Sequence, residues 1–259
     1  MALAPAPRLR LDSEARRGRI VDAALPLFAR KGFAGTTTKE IAEAAEVSEA
    51  LLFKHFPTKA ALYVAIQDFG CRIKEEALER LRQLEPSTAG LVLMAYMMVH
   101  HIVRGDADDR LGGDTRHRLI TNSLLADSEY ARLVYDTIFA QVFPKFGACL
   151  QAAEAAGDLA ATPVKFENRF WFGQHVAAML ALLSLSGRPA VPYRGSPDEV
   201  IGEAVWFILR GLGLKDAAIA AHYDAEKLAE YARNFAQPPG ETPPPAAETR
   251  PGASEGTSS

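Results

Sequence analysis

Cysteine, long apolar runs and excess positive charge are all scarce in this sequence. Its two cysteines, Cys71 and Cys149, are too few for a disulfide framework or a zinc site, so we expect both to be small buried apolar side chains. The longest apolar run, residues 176–185, has ten residues and contains a serine, which is too short to cross a bilayer. Because residues 1–7 also lack an apolar core of signal-peptide length, we expect a cytoplasmic protein with no membrane partner.

Signatures of catalysis and of β-strands are missing as well. The sequence contains no G-x-x-x-x-G-K or H-E-x-x-H string, so we predict no enzyme, no cofactor and no metal site. It also contains no alternating β-branched run bounded by turn residues. Almost every segment with a readable period is helical, and the predicted fold class is therefore all-α, with nine or ten helices.

Charge is distributed unevenly along the chain. The net charge of −3 argues against a surface that binds nucleic acid everywhere. Residues 8–60 nevertheless carry a formal charge of +3, and the rest of the chain carries −6. Only the N-terminal segment is therefore suited to meet phosphates.

Composition and helical periodicity divide the chain into four parts. Residues 1–11 and 237–259 have no apolar pattern, and we expect both to be disordered tails because they bury too little surface to offset their ordering entropy. Residues 12–60 form a predicted N-terminal module of short helices, and residues 61–236 form a predicted helical domain. The longest helices are predicted at residues 128–156, 164–186 and 198–212.

Capping residues delimit the first two helices of the module. Ser13 is a good N-cap, and Gly32 lies at the natural C-cap of the first helix. Thr37 and Glu40 have the S/T-x-x-E spacing of a capping box, which predicts a second helix over residues 38–45.

A third short helix follows after a turn of about three residues. Val47 is the predicted apolar plug of this turn, Ser48 caps a helix over residues 49–55, and Pro57 stops it. Two short helices joined in this way are typical of a helix-turn-helix, whose second helix is narrow enough for the major groove of DNA. The alternative is a three-helix interaction module with a solvated charged face.

The string RIVDAALPLFARKGFAGTTTKEIAEAAEVSEALLFKHFPTKAAL, which starts at Arg19, resembles the DNA-binding domain of the TetR (tetracycline repressor) family. The resemblance covers about 45 of the 259 residues, and the remaining helices match that family only in number and length. It implies a regulator that binds double-stranded DNA, most simply a ligand-responsive repressor on a palindromic operator. The DNA-binding residues that it implies are Thr37, Thr38, Lys39, Ser48, Glu49, Ala50, Leu51, Phe53, Lys54, His55 and Lys59.

Three positions depart from the family pattern. Glu46 stands where a glycine is usual in the turn, and a left-handed backbone at that position costs roughly 1 kcal/mol. Ala50 replaces a glycine or proline, and Phe53 lacks the hydroxyl of the usual tyrosine. On the exposed turn, Glu49 is suited to accept a hydrogen bond from a cytosine amino group and Leu51 to pack on a thymine methyl.

For the helical domain the resemblance implies a homodimer and a site for a small-molecule effector. Soft or polar side chains on apolar helices suit a largely apolar effector. The predicted effector-binding residues are Tyr96, His100, Tyr135, Phe139, Phe143, Trp171 and His175. The predicted dimer interface contains Phe172, Met179, Leu183, Val205, Trp206 and Leu209. Plain core packing explains any one of these residues equally well, and an adaptor or chaperone-like helical protein is a further alternative to a regulator.

Overall fold

The computed structural model describes residues 13–71, 75–105, 113–185 and 190–235. These ranges hold twelve α-helices and no strand, in agreement with the all-α prediction although more helices are present than expected. The predicted tails at 1–11 and 237–259 lie outside the described residues.

The N-terminal module and the connection that leaves it consist of four helices. They are α1 (Ser13–Gly35), α2 (Thr38–Ala44), α3 (Glu49–His55) and α4 (Lys59–Cys71). Gly32 has a φ of 69° inside α1, so the helix breaks at the predicted C-cap before a further turn. Thr58 accepts a hydrogen bond from the Ala61 amide at 3.0 Å and starts α4.

Eight further helices make up the rest of the described chain. They are α5 (Glu75–Gln83), α6 (Thr88–Arg104), α7 (Gly113–Leu124), α8 (Glu129–Ala155), α9 (Phe166–Ser184), α10 (Pro197–Gly211), α11 (Asp216–His222) and α12 (Ala225–Phe235). The three long helices predicted from periodicity correspond to α8, α9 and α10, with ends that differ by at most two residues.

The first hydrophobic core lies under the helix-turn-helix but is not closed by residues 12–60 alone. Phe28 of α1 and Leu52 of α3 are buried at its centre, and Ile66 of α4 joins them. Leu119 of α7 and Tyr130 of α8 complete the same core. A hydrogen bond of 2.9 Å from Asn122 Nδ2 in α7 to the Ala29 carbonyl in α1 crosses the same contact. The helical domain therefore packs directly on the N-terminal module.

The second core is formed by α6, α8, α9 and α10. Gly173 allows α9 and α10 to approach closely, because a Cβ at that position would lie 2.9 Å from Ile208 Cγ2. Cys149 is buried in this core, as expected, and burial raises the pKa of its thiol. The side chain of Cys71 lies outside the described residues.

Candidate functional site: a helix-turn-helix and a ring cluster

The start of α2 is held by a reciprocal pair of hydrogen bonds. Thr37 Oγ1 accepts from the Glu40 amide at 3.2 Å, and Glu40 Oε2 accepts from the Thr37 amide at 3.0 Å, which confirms the predicted capping box. Lys31 Nζ lies 2.5 Å from Glu40 Oε1. The hydrogen bond from Lys31, followed by those from Thr37, lowers the pKa of Glu40 from 4.5 to about 2.

The turn between α2 and α3 contains the unusual glutamate. Glu46 has a φ of 55°, in the left-handed region, so the turn has the geometry that favours glycine. Arg19 Nη2 lies 3.3 Å from Glu46 Oε2. The Val47 amide donates to the Ala42 carbonyl at 3.0 Å and closes the turn. The backbone of the turn is therefore strained, because a glutamate occupies a conformation that favours glycine.

Helix α3 is anchored on one side and exposed on the other. Leu52 and Phe56 are each 1% exposed and fix its inner face, and Ser48 Oγ caps it by accepting from the Leu51 amide at 3.2 Å. On the outer face, Phe53 is 41% exposed. Of the predicted DNA-binding residues on α3 and its cap, Ser48, Glu49, Ala50 and Lys54 are also exposed, and Leu51 and His55 are partly buried. Helix α3 therefore presents a continuous outward face.

The first turns of α2 and α3 lie side by side. Thr38 Oγ1 at the start of α2 donates to Glu49 Oε2 at the start of α3 over 3.2 Å. Thr37 and Lys39 are exposed beside them. Because the first backbone N–H groups of a helix are free to bind anions, this pair of helix starts is a favourable place for a phosphate, although Glu49 adds a negative charge there.

Arg17 contacts the end of α3 and was not singled out from the sequence. Its Nη1 donates to the His55 carbonyl at 3.1 Å, and its guanidinium lies 4.3 Å from the centre of the Phe56 ring. Both contacts join α1 to the last turn of α3. Arg17 therefore holds the C-terminal end of α3 against α1.

Lys59 makes contacts inside the protein as well as occupying the position that the resemblance links to phosphate binding. Its Nζ donates to the Phe33 carbonyl at 2.8 Å and to the Thr36 carbonyl at 3.0 Å, and it lies 4.3 Å from the centre of the Phe33 ring. Two of the three ammonium protons are therefore used inside the protein. Lys59 therefore ties α4 to the end of α1, and the phosphate contact that the family position implies stays a prediction for its remaining proton.

Five of the predicted effector-binding residues form one cluster of rings between α8 and α9. The ring centroid of Trp171 lies 5.6 Å from that of Tyr135 and 5.8 Å from that of Phe139. Phe143 stacks on Phe139 at 4.2 Å, and His175 lies 6.3 Å from Trp171. We call Tyr135, Phe139, Phe143, Trp171 and His175 the ring cluster. Its first four members are only partly buried, and His175 is exposed.

The other two predicted effector-binding residues lie on α6. Tyr96 is buried, and its ring centroid is 5.9 Å from that of His100 one turn later. Tyr96 also approaches Tyr223, since burial first and the nearby Tyr96 second raise the pKa of Tyr223. This part of α6 therefore meets the segment between α11 and α12.

The structure separates the predicted dimer residues into two groups. Phe172 and Met179 on α9 are 58% and 51% exposed, and Phe207 on α10, which sequence reasoning missed, is 67% exposed. Val205 and Leu209 are 0% exposed and pack in the second core, so their assignment to an interface between two copies is wrong.

The two remaining dimer candidates lie partly inside the protomer. Trp206 is partly buried and packs edge-on against Tyr223 with ring centroids 5.9 Å apart. Leu183 is also partly buried. Residues that face the protomer's own core and residues that face outward share the same apolar pattern, so periodicity alone did not distinguish them.

The described residues contain neither a membrane-spanning helix nor a metal-binding cluster. None of the helices in those ranges is long and apolar enough to span a membrane. Over the same residues, no group of three or more His, Cys, Asp or Glu side chains is arranged to hold a metal ion.

Comparison with known proteins gives matches over the N-terminal module. The family model described as bacterial regulatory proteins, tetR family, matches residues 20–66. The HTH-type transcriptional regulator YvkB of Bacillus subtilis, itself uncharacterized, is 54% identical over 48 residues, which are 18% of this chain and 25% of that protein. The HTH-type transcriptional regulator RutR of Escherichia coli K12 is 46% identical over 52 residues, which are 20% of this chain and 24% of RutR. The match thus spans about a quarter of each relative.

A solved structure resembles most of the chain. The crystal structure of a bacterial regulatory protein in the tetR family from Rhodococcus RHA1 aligns with 78% of this chain and 98% of its own length. The TM-score is 0.51 and the sequence identity is 20%. At that identity the likeness shows the fold of the helical domain and not what the domain binds.

Proposed function

We propose, from the match of residues 20–66 to the family model described as bacterial regulatory proteins, tetR family, that the chain is a DNA-binding transcriptional regulator rather than an enzyme. It acts as a homodimer on a palindromic operator, most simply as a repressor. A largely apolar effector bound in the helical domain changes its affinity for DNA.

The outward face of α3 is the observation that carries this proposal. A helix whose inner face is fixed by Leu52 and Phe56 while Phe53 and Lys54 remain exposed is rigid and free to enter a major groove. Arg17 supports that geometry from α1.

Each residue on or beside this outward face then has a role that its chemistry suits. Lys39, Lys54 and His55 bind phosphates, and Phe53 packs against the sugar-phosphate backbone or a thymine methyl. Leu51 packs on a thymine methyl, and Glu49 accepts from a cytosine amino group while it keeps its bond to Thr38.

The dimer uses the exposed apolar residues of α9 and α10. Phe172, Met179 and Phe207 are large apolar side chains that are each more than half exposed, and such a group marks an interaction surface. A second copy related by a two-fold axis covers the same residues on both subunits. The two α3 helices then reach successive major grooves about 34–36 Å apart.

The effector acts through the contact between the two cores. Because Leu119, Asn122 and Tyr130 of α7 and α8 pack on the N-terminal module, a shift of α7 or α4 changes the position of α3 relative to its twin. The effector must bind the low-affinity arrangement more tightly than the DNA-bound one, since otherwise it shifts nothing.

A footprint on the DNA that flanks the gene tests the DNA-binding role. We expect two protected segments with centres about 10–10.5 base pairs apart. Lys54→Ala should weaken protection on every sequence, whereas Lys227→Ala, which changes an exposed lysine on α12, should leave it unchanged. Absence of protection by the wild-type chain at low ionic strength contradicts the proposal.

The dimer is tested on the same preparation by size-exclusion chromatography with light scattering. The double variant Phe172→Glu and Phe207→Glu should elute as a folded monomer that binds a full operator much more weakly than the wild type does. A variant that remains dimeric would place the interface elsewhere.

A further inference from the structure

Gln174 is a buried polar residue that neither DNA binding nor dimerisation uses. It lies on α9, is only 6% exposed, and its Oε1 has no hydrogen-bond partner among the described residues. Buried polar atoms in native proteins are nearly always paired, and an unpaired one is unfavourable in a packed interior. A carbonyl oxygen in this position is an acceptor that lacks a donor.

The acceptor adjoins the ring cluster. Gln174 follows Trp171 by three residues on α9, and residues three apart on a helix are neighbours on its surface. Trp171 in turn contacts Tyr135 and Phe139 of α8 with ring centroids 5.6 and 5.8 Å apart. Gln174, whose amide oxygen is enclosed, therefore lies one turn of α9 from a ring of the cluster.

This side of α9 is distinct from the proposed dimer face. Phe172, the exposed dimer residue, follows Trp171 directly, and successive side chains of a helix point about 100° apart. Gln174, two residues after Phe172, points away from it, so a ligand that reaches Gln174 approaches α9 from another side. Of the ring cluster, His175 is the member that lies within one turn of Phe172 and Met179.

We propose that Gln174 Oε1 accepts a hydrogen bond from an uncharged, planar aromatic ligand that carries one hydroxyl or N–H donor and packs on Trp171, Tyr135 and Phe139. This inference rests on the proposed effector site and defines its ligand class. The side chains of Tyr135, Phe139, Phe143 and Trp171 supply aromatic surface and no formal charge, so a charged ligand would lose hydration without a partner. A buried acceptor rejects an analogue that lacks the donor.

The tyrosine of the cluster is consistent with a neutral ligand. Tyr135 is partly buried, and burial raises the pKa of its phenol above 10. At neutral pH its hydroxyl is therefore protonated and adds no charge to the site.

Two naphthalenes of nearly equal shape test the proposal by isothermal titration calorimetry on the full chain. 2-Naphthol has a hydroxyl donor, and 2-fluoronaphthalene has none. We expect the wild type to bind 2-naphthol about five to ten times more tightly, the ratio that one neutral hydrogen bond supplies. Gln174→Met keeps the length of the side chain and removes the acceptor, so it should bind the two compounds equally. Gln151→Met, an exposed change on α8, is the matched control and should keep the wild-type ratio.

Each other outcome overturns the proposal. These outcomes are equal binding of both compounds by the wild type, a preference that persists in Gln174→Met, and no saturable binding of either compound. We also expect Gln174→Met to melt no lower than the wild type, because it removes an unpaired buried group. A variant that unfolds would mean that the protein itself satisfies the amide, which also contradicts the proposal.

A footprint of Gln174→Met on the flanking DNA separates this inference from the proposed function. Retained DNA binding with a lost hydroxyl preference supports both. Failure of the wild type to bind DNA contradicts the regulator role, whereas the naphthalene measurement still tests the ligand class.

Discussion

The N-terminal module, residues 13–66, and the helical domain that follows it differ in how far apart along the sequence their hydrogen-bonded residues lie. In the N-terminal module the helix ends are fixed by neighbours three residues apart, such as Thr37 with Glu40 and Ser48 with Leu51. The helical domain has caps of the same kind, such as Ser196 with Glu199, and adds bonds between distant segments, such as Thr88 Oγ1 with Asp158 Oδ2 at 2.5 Å. Local caps therefore set the ends of α2 and α3, whereas the helical domain also depends on bonds between segments far apart in the chain.

The largest expected effect tests whether the two halves unfold together. Phe28 is 0% exposed in the core that α1 shares with α7 and α8, so Phe28→Ala should lower the free energy of unfolding by about 3–5 kcal/mol. Urea unfolding should show this loss in a single transition. Val64→Ala, at a residue that is 53% exposed, should change it by less than about 0.5 kcal/mol. Two separate transitions would show that the halves are independent.

The next effect concerns the bonds by which Lys59 ties α4 to the end of α1, inside the N-terminal module. Removal of an ammonium that donates to the Phe33 and Thr36 carbonyls should cost about 1.5–3 kcal/mol of stability in Lys59→Ala. Lys39→Ala, at an exposed lysine, should cost almost nothing in thermal unfolding. If both variants are as stable as the wild type and both weaken DNA binding equally, Lys59 is a phosphate ligand and not a tie between helices.

A smaller effect on stability comes from Glu40 in the N-terminal module and depends on pH. The pKa of Glu40 is lowered from 4.5 to about 2, so its contribution to stability is complete above pH 4.5 and is lost as the pH falls toward 2. The melting temperature of Glu40→Gln should therefore lie below that of the wild type at pH 7 and approach it at low pH. Glu43→Gln controls for the loss of one exposed charge on α2. A gap that widens on acidification would contradict this interpretation.

The smallest expected effect is an increase in the free energy of unfolding. Glycine at position 46 removes the cost of a left-handed φ of 55° and adds backbone entropy to the unfolded chain, so Glu46→Gly should raise stability by about 0.5 kcal/mol. Arg19→Ala measures the ion pair with Glu46 separately. A loss of more than about 1 kcal/mol in Glu46→Gly would show that the ion pair outweighs the strain.

The sequence was sufficient where the physical cause was local. The caps at Thr37 and Ser48 located α2 and α3 to within a residue, because a cap fixes a helix end without help from the rest of the chain. The left-handed position at Glu46 was also predictable, since the family pattern has a glycine there.

The sequence was insufficient where the cause was distant. Arg17 acts on His55, 38 residues further along the chain, and no local pattern connects them. Val205 and Leu209 have the same periodicity as residues that face outward, so only the packing of α10 reveals that they are buried. Gln174 did have a signal, a polar residue among apolar neighbours on α9, but its unpaired oxygen became visible only in the fold.

The affinity of the full chain for its flanking DNA, measured by fluorescence anisotropy between about 50 and 200 mM salt, is the most direct test of an outward-facing α3. Log K should fall linearly with log salt, with a slope of about −0.9 for each phosphate contacted, and Lys54→Ala should reduce the magnitude of that slope by about one. If the wild type does not bind at 50 mM salt, or if its affinity does not depend on salt, α3 does not meet the double helix as described.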